Sequence, residues 1–117
     1  MSIPRVLVAE DEFIVAHDLC DTVSEAGFAI EGPHPNISSA MLALQKHRPD
    51  LAILDVQLDD GDVFPLAEKL MAENVPIIFH SGNYSAEEMK QRYPDAIACS
   101  KPCPPNEIID KVQQALA

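Results

Sequence analysis

Five short apolar runs, separated by stretches of helical periodicity, constrain this chain more than any other feature. The runs are residues 5–9 (RVLVA), 28–32 (FAIEG), 51–55 (LAILD), 76–81 (PIIFHS) and 96–100 (AIACS). The first, third and fourth are nearly continuous Val, Ile and Leu, as in strands buried on both faces of a parallel sheet. Between the runs, Ala16, Leu19, Cys20 and Val23 share one helical face, and Gly27 closes that helix. Ile37, Ala40, Met41 and Leu44 form a second stripe, starting near Asn36 or Ser38 and stopped by Pro49. A third, Val63, Leu66, Ala67 and Leu70, has Asp62 placed as its cap. Residues 85–93 open with a capping box, Ser85 to Glu88, and offer Ala86, Met89 and Tyr93 to a core. The last helix follows Pro105 and buries Ile108, Val112, Ala115 and Leu116.

Strand and helix thus alternate five times. That pattern predicts an α/β fold, a doubly wound (βα)5 sandwich around a five-stranded parallel sheet of flavodoxin-like order 2-1-3-4-5. Right-handed crossovers put every strand's C-terminal end on one edge, where such folds bind ligands. The 117 residues fit one domain, without an output domain, and are enough to bury a core without staples.

The runs end in residues that carry chemistry. The first leads into Glu10 and Asp11, the third ends in Asp55, the fourth in Ser81, and the fifth runs into Lys101. In the expected order the first and third strands are adjacent, so Glu10, Asp11 and Asp55 meet. Three carboxylates in one cleft repel one another unless a cation lies among them. Oxygen donors without His or Cys suit a hard ion, Mg²⁺ or Mn²⁺. Asp59, Asp60 and Asp62 read as solvated loop carboxylates.

These residues resemble the receiver domain of two-component response regulators over the whole chain. The motifs are VAEDE (8–12), LAILDVQL (51–58), IIFHSG (77–82) and CSKPC (99–103). The resemblance implies that Asp55 accepts a phosphoryl group and that Mg²⁺ is held by Asp11 directly, by Glu10 through water, and by Asp55 and the Gln57 backbone carbonyl. It implies that Ser81 binds the phosphoryl group, that Lys101 pairs with it, and that the Lys101–Pro102 peptide is cis. The fourth run is similar to a stand-alone subgroup whose strand reads Phe-Ala-Thr-Gly-Tyr. Here Phe79, His80, Ser81, Gly82 and Asn83 stand in that stretch, with Tyr84 one place late. Ala98 replaces the usual aromatic three residues before the lysine, and Cys103 and Pro104 stand where Phe and Asp are frequent. Without that ring, the expected relay is the loop of residues 81–88, where Gly82 supplies flexibility and Asn83 unusual backbone angles.

The expected partner is a histidine kinase or a histidine phosphotransfer protein, with output through protein contacts. The face of the fourth helix, fifth strand and fifth helix is the expected surface for pairing two copies. A net charge of −11 disfavours direct binding to nucleic acid. No run approaches 18 apolar residues and no leader is visible, so no membrane contact and a reducing cytoplasm are expected. Cys20 reads as a small core residue, while Cys99 and Cys103 form neither a metal cluster nor a dyad with any His. His17, His34 and His47 read as surface residues. His80, on the strand face opposite Ser81, reads as packing. Two other functions remain open: a receiver-fold binding module without phosphorylation, and a Mg²⁺-dependent phosphohydrolase. The second needs an acid two residues past its nucleophile, where this chain has Gln57.

Overall fold

The computed structural model describes residues 3–82 and 84–117. Strands β1 (Arg5–Ala9), β2 (Ala29–His34) and β3 (Leu51–Leu54) alternate with helices α1 (Phe13–Glu25) and α2 (Ile37–Lys46). A two-residue ribbon, β4 (Gln57–Leu58) and β5 (Gly61–Asp62), precedes α3 (Phe64–Ala72). The chain ends with β6 (Ile77–Ser81), α4 (Ala86–Arg92), β7 (Ile97–Ser100) and α5 (Pro105–Leu116). The main sheet is parallel, in the order β2-β1-β3-β6-β7. Counting sheet strands alone, this is the expected 2-1-3-4-5.

Strand alternation divides the core in two. Leu7, Ala9, Leu54, Ile77 and Phe79 face one way, toward α2, α3 and α4, with Leu44, Leu66, Leu70 and Met89 in the same cluster. Val6, Val8, Leu51, Ile53, Ile78 and Cys99 face the other way and pack with Leu19, Val23, Ile108 and Val112 of α1 and α5. No described helix is long and apolar enough to cross a membrane.

Local signals behave as their chemistry dictates, with exceptions. Asn36 accepts a bond from the Ser39 amide at 2.8 Å and starts α2, while Ser85 and Glu88 form the full capping box of α4. Gly27, at φ 101°, follows the last turn of α1. Asp62, expected to cap α3, does not. It is paired with Gln57 in the β4–β5 ribbon, and Val63 precedes α3 at the cap position without a side-chain cap, with a proline in the first turn. Proline removes one of the amides a cap would have served. The ribbon's acid with a structural task is Asp60, which accepts from the Ile37 and Ser38 amides at 2.6 and 3.2 Å. Those bonds keep its carboxyl below the usual range and tie the ribbon to the start of α2.

The cysteines also depart from expectation. Cys99 and Cys103 are joined by a disulfide, their Cα atoms 6.3 Å apart. The sequence spacing hides this, because it is the turn at Lys101–Pro102 that brings the two sulfurs together. Cys20 is free and buried, as expected, and burial pushes its thiol up to about 11. His17 and His47 are exposed, but His34 is half-buried, with its Nε2 3.0 Å from Glu31 Oε2 and its Nδ1 against the Ser39 hydroxyl. His34 ends β2 beside α2, so its ring is covered by the helix it precedes.

Candidate functional site

The parity of the strands decides which side chains meet at the C-terminal edge. Val6, Val8 and then Glu10 run along one side of β1, and Leu51, Ile53 and then Asp55 along the same side of β3. Cys99 and Lys101 continue that side from β7. Lys101 is therefore delivered to the carboxylates. Its Nζ lies 2.6 Å from Glu10 Oε1, 3.1 Å from Asp55 Oδ2 and 3.3 Å from Glu12 Oε1. Glu10 is 1% exposed and Asp55 7% exposed, so this ammonium answers charges that water does not reach.

The backbone holds these groups in register. The Glu10 amide donates to the His34 carbonyl at 2.9 Å and the Asp55 amide to the Ala9 carbonyl at 2.8 Å. The Lys101 amide donates to the Ser81 carbonyl at 2.9 Å, and the Lys101–Pro102 peptide is cis, as the resemblance implied. Burial, followed by a hydrogen bond to Asp55, raises the Glu10 carboxyl to about 8 against the pull of Lys101. Burial alone would lower the Lys101 ammonium, but its hydrogen bonds to Glu10 and Asp55 prevail and raise it. The site thus favours one shared proton or an added cation over two bare carboxylates.

Of the sequence-derived set, the structure brings Glu10, Asp11, Asp55 and Lys101 together. Ligand oxygens of Glu10, Asp11, Glu12 and Asp55 lie within 4.8 Å of one another, a donor set of oxygens alone that suits a hard divalent ion. Gln57 opens the β4–β5 ribbon two residues beyond Asp55, with its side chain exposed. Ser81 is buried at the end of β6 on the opposite strand face, and its Oγ accepts from the Tyr84 amide at 3.2 Å. Gly82 adjoins the Lys101 side chain, and Asn83 lies outside the described residues.

Two residues of this site were not among the expected ones. Glu12 reaches Lys101 from the first residue before α1; the acidic run of residues 10–12 was its only signal. His80 does face away from Ser81, but that is the face on which Glu10 and Lys101 lie. Its Nδ1 is 3.9 Å from Glu10 Oε1, and burial, then the Lys101 charge, lowers its pKa. A cavity of about 480 Å³ between α1 and α5 is lined by Glu12, Leu19, His80, Lys101, Cys103 and Ile108 among others. A second cluster, Cys99, Cys103 and Glu107, has ligand geometry, but its two sulfurs are bonded to each other.

The family model of the response regulator receiver domain matches residues 6–113. The chain belongs to this family. It is a receiver domain of the signal-transducing two-component type. It is 28% identical over 116 residues to the transcriptional regulatory protein PdtaR of Mycobacterium tuberculosis, covering 97% of this chain and 57% of that protein. The receiver domain thus spans less than two-thirds of that relative's length. Among solved structures, a response regulator receiver protein from Sinorhizobium medicae superposes with a TM-score of 0.87 at 26% identity, over 98% of this chain and 95% of that one. SdrG from Sphingomonas melonis gives 0.83 at 28% identity, over 100% of both chains.

Proposed function

We propose that this receiver domain is a phosphoacceptor of a two-component system or phosphorelay, modified on Asp55. The observation that carries the reading is the triple contact of Lys101 with Glu10, Glu12 and Asp55, a half-buried cation already placed where negative charge would be added. An Asp55 oxygen attacks the phosphorus of a phosphohistidine or small phosphodonor, a P–O bond to Asp55 forms, and the bond to the donor's leaving group breaks. Lys101 pairs with a phosphoryl oxygen and the Ser81 hydroxyl donates to another. Asp11, Asp55 and the Gln57 carbonyl would hold Mg²⁺, with Glu10 behind them; when bound, the ion offsets the charge of the phosphoryl oxygens. Phe13 and Ile14, exposed on the first turn of α1 beside Glu12, offer apolar surface to a docking histidine kinase or phosphotransfer protein.

Exposure to Mg²⁺ and a small phosphodonor should add about 80 daltons, the mass of one phosphoryl group. Asp55→Asn should remove that adduct, and chelation by EDTA should suppress it in the wild type. An undiminished adduct in D55N would overturn the assignment.

A further inference from the structure

We propose that the Cys99–Cys103 disulfide is a reversible thiol–disulfide modification site that sets how firmly Lys101 is held. Its effect on signalling rests on the phosphoacceptor reading above; the modification and its grip on Lys101 do not. The ring closed by the disulfide contains Ser100, Lys101 and Pro102, so the lysine that reaches Glu10, Glu12 and Asp55 is tethered on both sides by one covalent bond. Cys99 anchors one end in the α1–α5 core, where it is buried beside Ile108 and Val112. Cys103 is half-buried and lines the cavity that Lys101, Glu12 and His80 also line. One sulfur is thus fixed and the other is reachable, and both flank the candidate site.

A purely structural staple is a poor explanation. The domain has two continuous core clusters, and a disulfide spanning so few residues restrains the unfolded chain less than a long-range one. What it restrains is the link between β7 and α5. Exchange with a dithiol reductant runs without any further reactant. A reductant thiolate attacks the Cys103 sulfur, the S–S bond breaks, and Cys99 leaves as a thiolate that takes up a proton. The reductant's second thiol then closes its own disulfide and releases Cys103. The protein has gained two electrons and two protons, and the dithiol has lost them. The half-buried Cys103 sulfur, at the wall of the cavity, gives a reductant its entry to the bond.

The test uses the full chain equilibrated across ratios of reduced to oxidised dithiothreitol, quenched, denatured and alkylated with iodoacetamide. The expected result is a single two-thiol step, from one alkylated cysteine (Cys20) to three. Three alkylated cysteines at every ratio would overturn the proposal. Amide hydrogen exchange then compares the two states. Reduction should speed exchange across residues 99–107 by about tenfold, the local release expected when a short covalent ring opens. C103S, which alters the more accessible sulfur, should exchange at the fast rate with or without reductant. Equal exchange in oxidised and reduced protein would also overturn the proposal, because the ring would then not restrain Lys101. A failure to form the Asp55 adduct in both redox states would count against the phosphoacceptor reading alone.

Discussion

The two halves of the sheet's C-terminal edge are built to different standards. On the β1–β3 side, Ala9, Leu54 and Val56 are completely or almost completely buried around Glu10 and Asp55. The acidic wall is set in packed core. On the β6–β7 side, α4 is seven residues long with Met89 as its buried anchor, and the next link, β7 to α5, is the five-residue ring closed by a disulfide. What secures α4 otherwise is its surface: the capping box, the stack of Tyr93 on Phe79 at 5.4 Å, and the Arg92 guanidinium 3.7 Å above the Phe64 ring. Charge is held on the rigid side, and the loose side carries the helix with the fewest buried anchors, α4. Ala98 fits this division. It pairs with Phe79 across the sheet and leaves that ring to be covered by Tyr93 from α4.

The contrast breaks first under core truncation. Leu54→Ala removes a fully buried side chain next to Asp55 and should destabilise the whole molecule by about 3 kcal/mol, lowering the melting temperature by roughly 10 °C or more. Met89→Ala deletes a comparable volume from α4, but its main effect should be local. Amide exchange should rise in residues 86–93 while β1 and β3 stay protected. Equal loss of protection in β1 and β3 for both variants would mean that α4 is not a separable unit.

A pH series sharpens the rigid side. The Glu10 carboxyl is raised to about 8, so the stability it contributes is complete below the ordinary Glu range and is lost as pH rises through 8. His80 is lowered, so its contribution is present above the ordinary His range and declines as the medium becomes acidic. Lys101 is raised, so its contribution is complete below the ordinary Lys range. Above about pH 6.5, then, Glu10 acts alone among these three groups, and the metal-free protein should lose about 2 kcal/mol between pH 6.5 and 8. Glu10→Gln should flatten that slope in chemical denaturation; an unchanged slope would remove Glu10 as its source.

Much of this division was already legible in the residues, for a physical reason. Continuous Val, Ile and Leu runs specify buried strands, and their alternation with amphipathic helices allows few topologies, so β1, β3 and β6, the meeting of Glu10 with Asp55 and the place of Lys101 on the same edge followed. Asn36, Ser85 and Glu88 act within one turn of their own position and were equally readable. Features made by distant backbone were not. Asp60 caps a helix that starts 23 residues earlier, the β4–β5 ribbon takes Asp62 away from α3, and Cys103 finds Cys99 only after the chain turns at Pro102. His80 shows the subtler failure. Its strand face was readable, but not that Glu10 and Lys101 would lean over the same face.

The smallest effect tests the loose side most directly. Ser85 accepts from the Glu88 amide at 3.1 Å, and the Glu88 carboxylate accepts from the Ser85 amide at 3.2 Å. Ser85→Ala removes the hydroxyl acceptor and should destabilise α4 by about 1 kcal/mol. Because this helix has one deep anchor, that loss should appear as local opening, with exchange in residues 86–92 rising about fivefold and the global melting temperature nearly constant. Glu88→Gln keeps an acceptor at the same position and should lie between the variant and the wild type. If S85A instead lowered the global melting temperature in proportion, with no local gain in exchange, α4 would be part of the same cooperative unit as the acidic wall. The two halves of the edge would then differ in composition but not in stability.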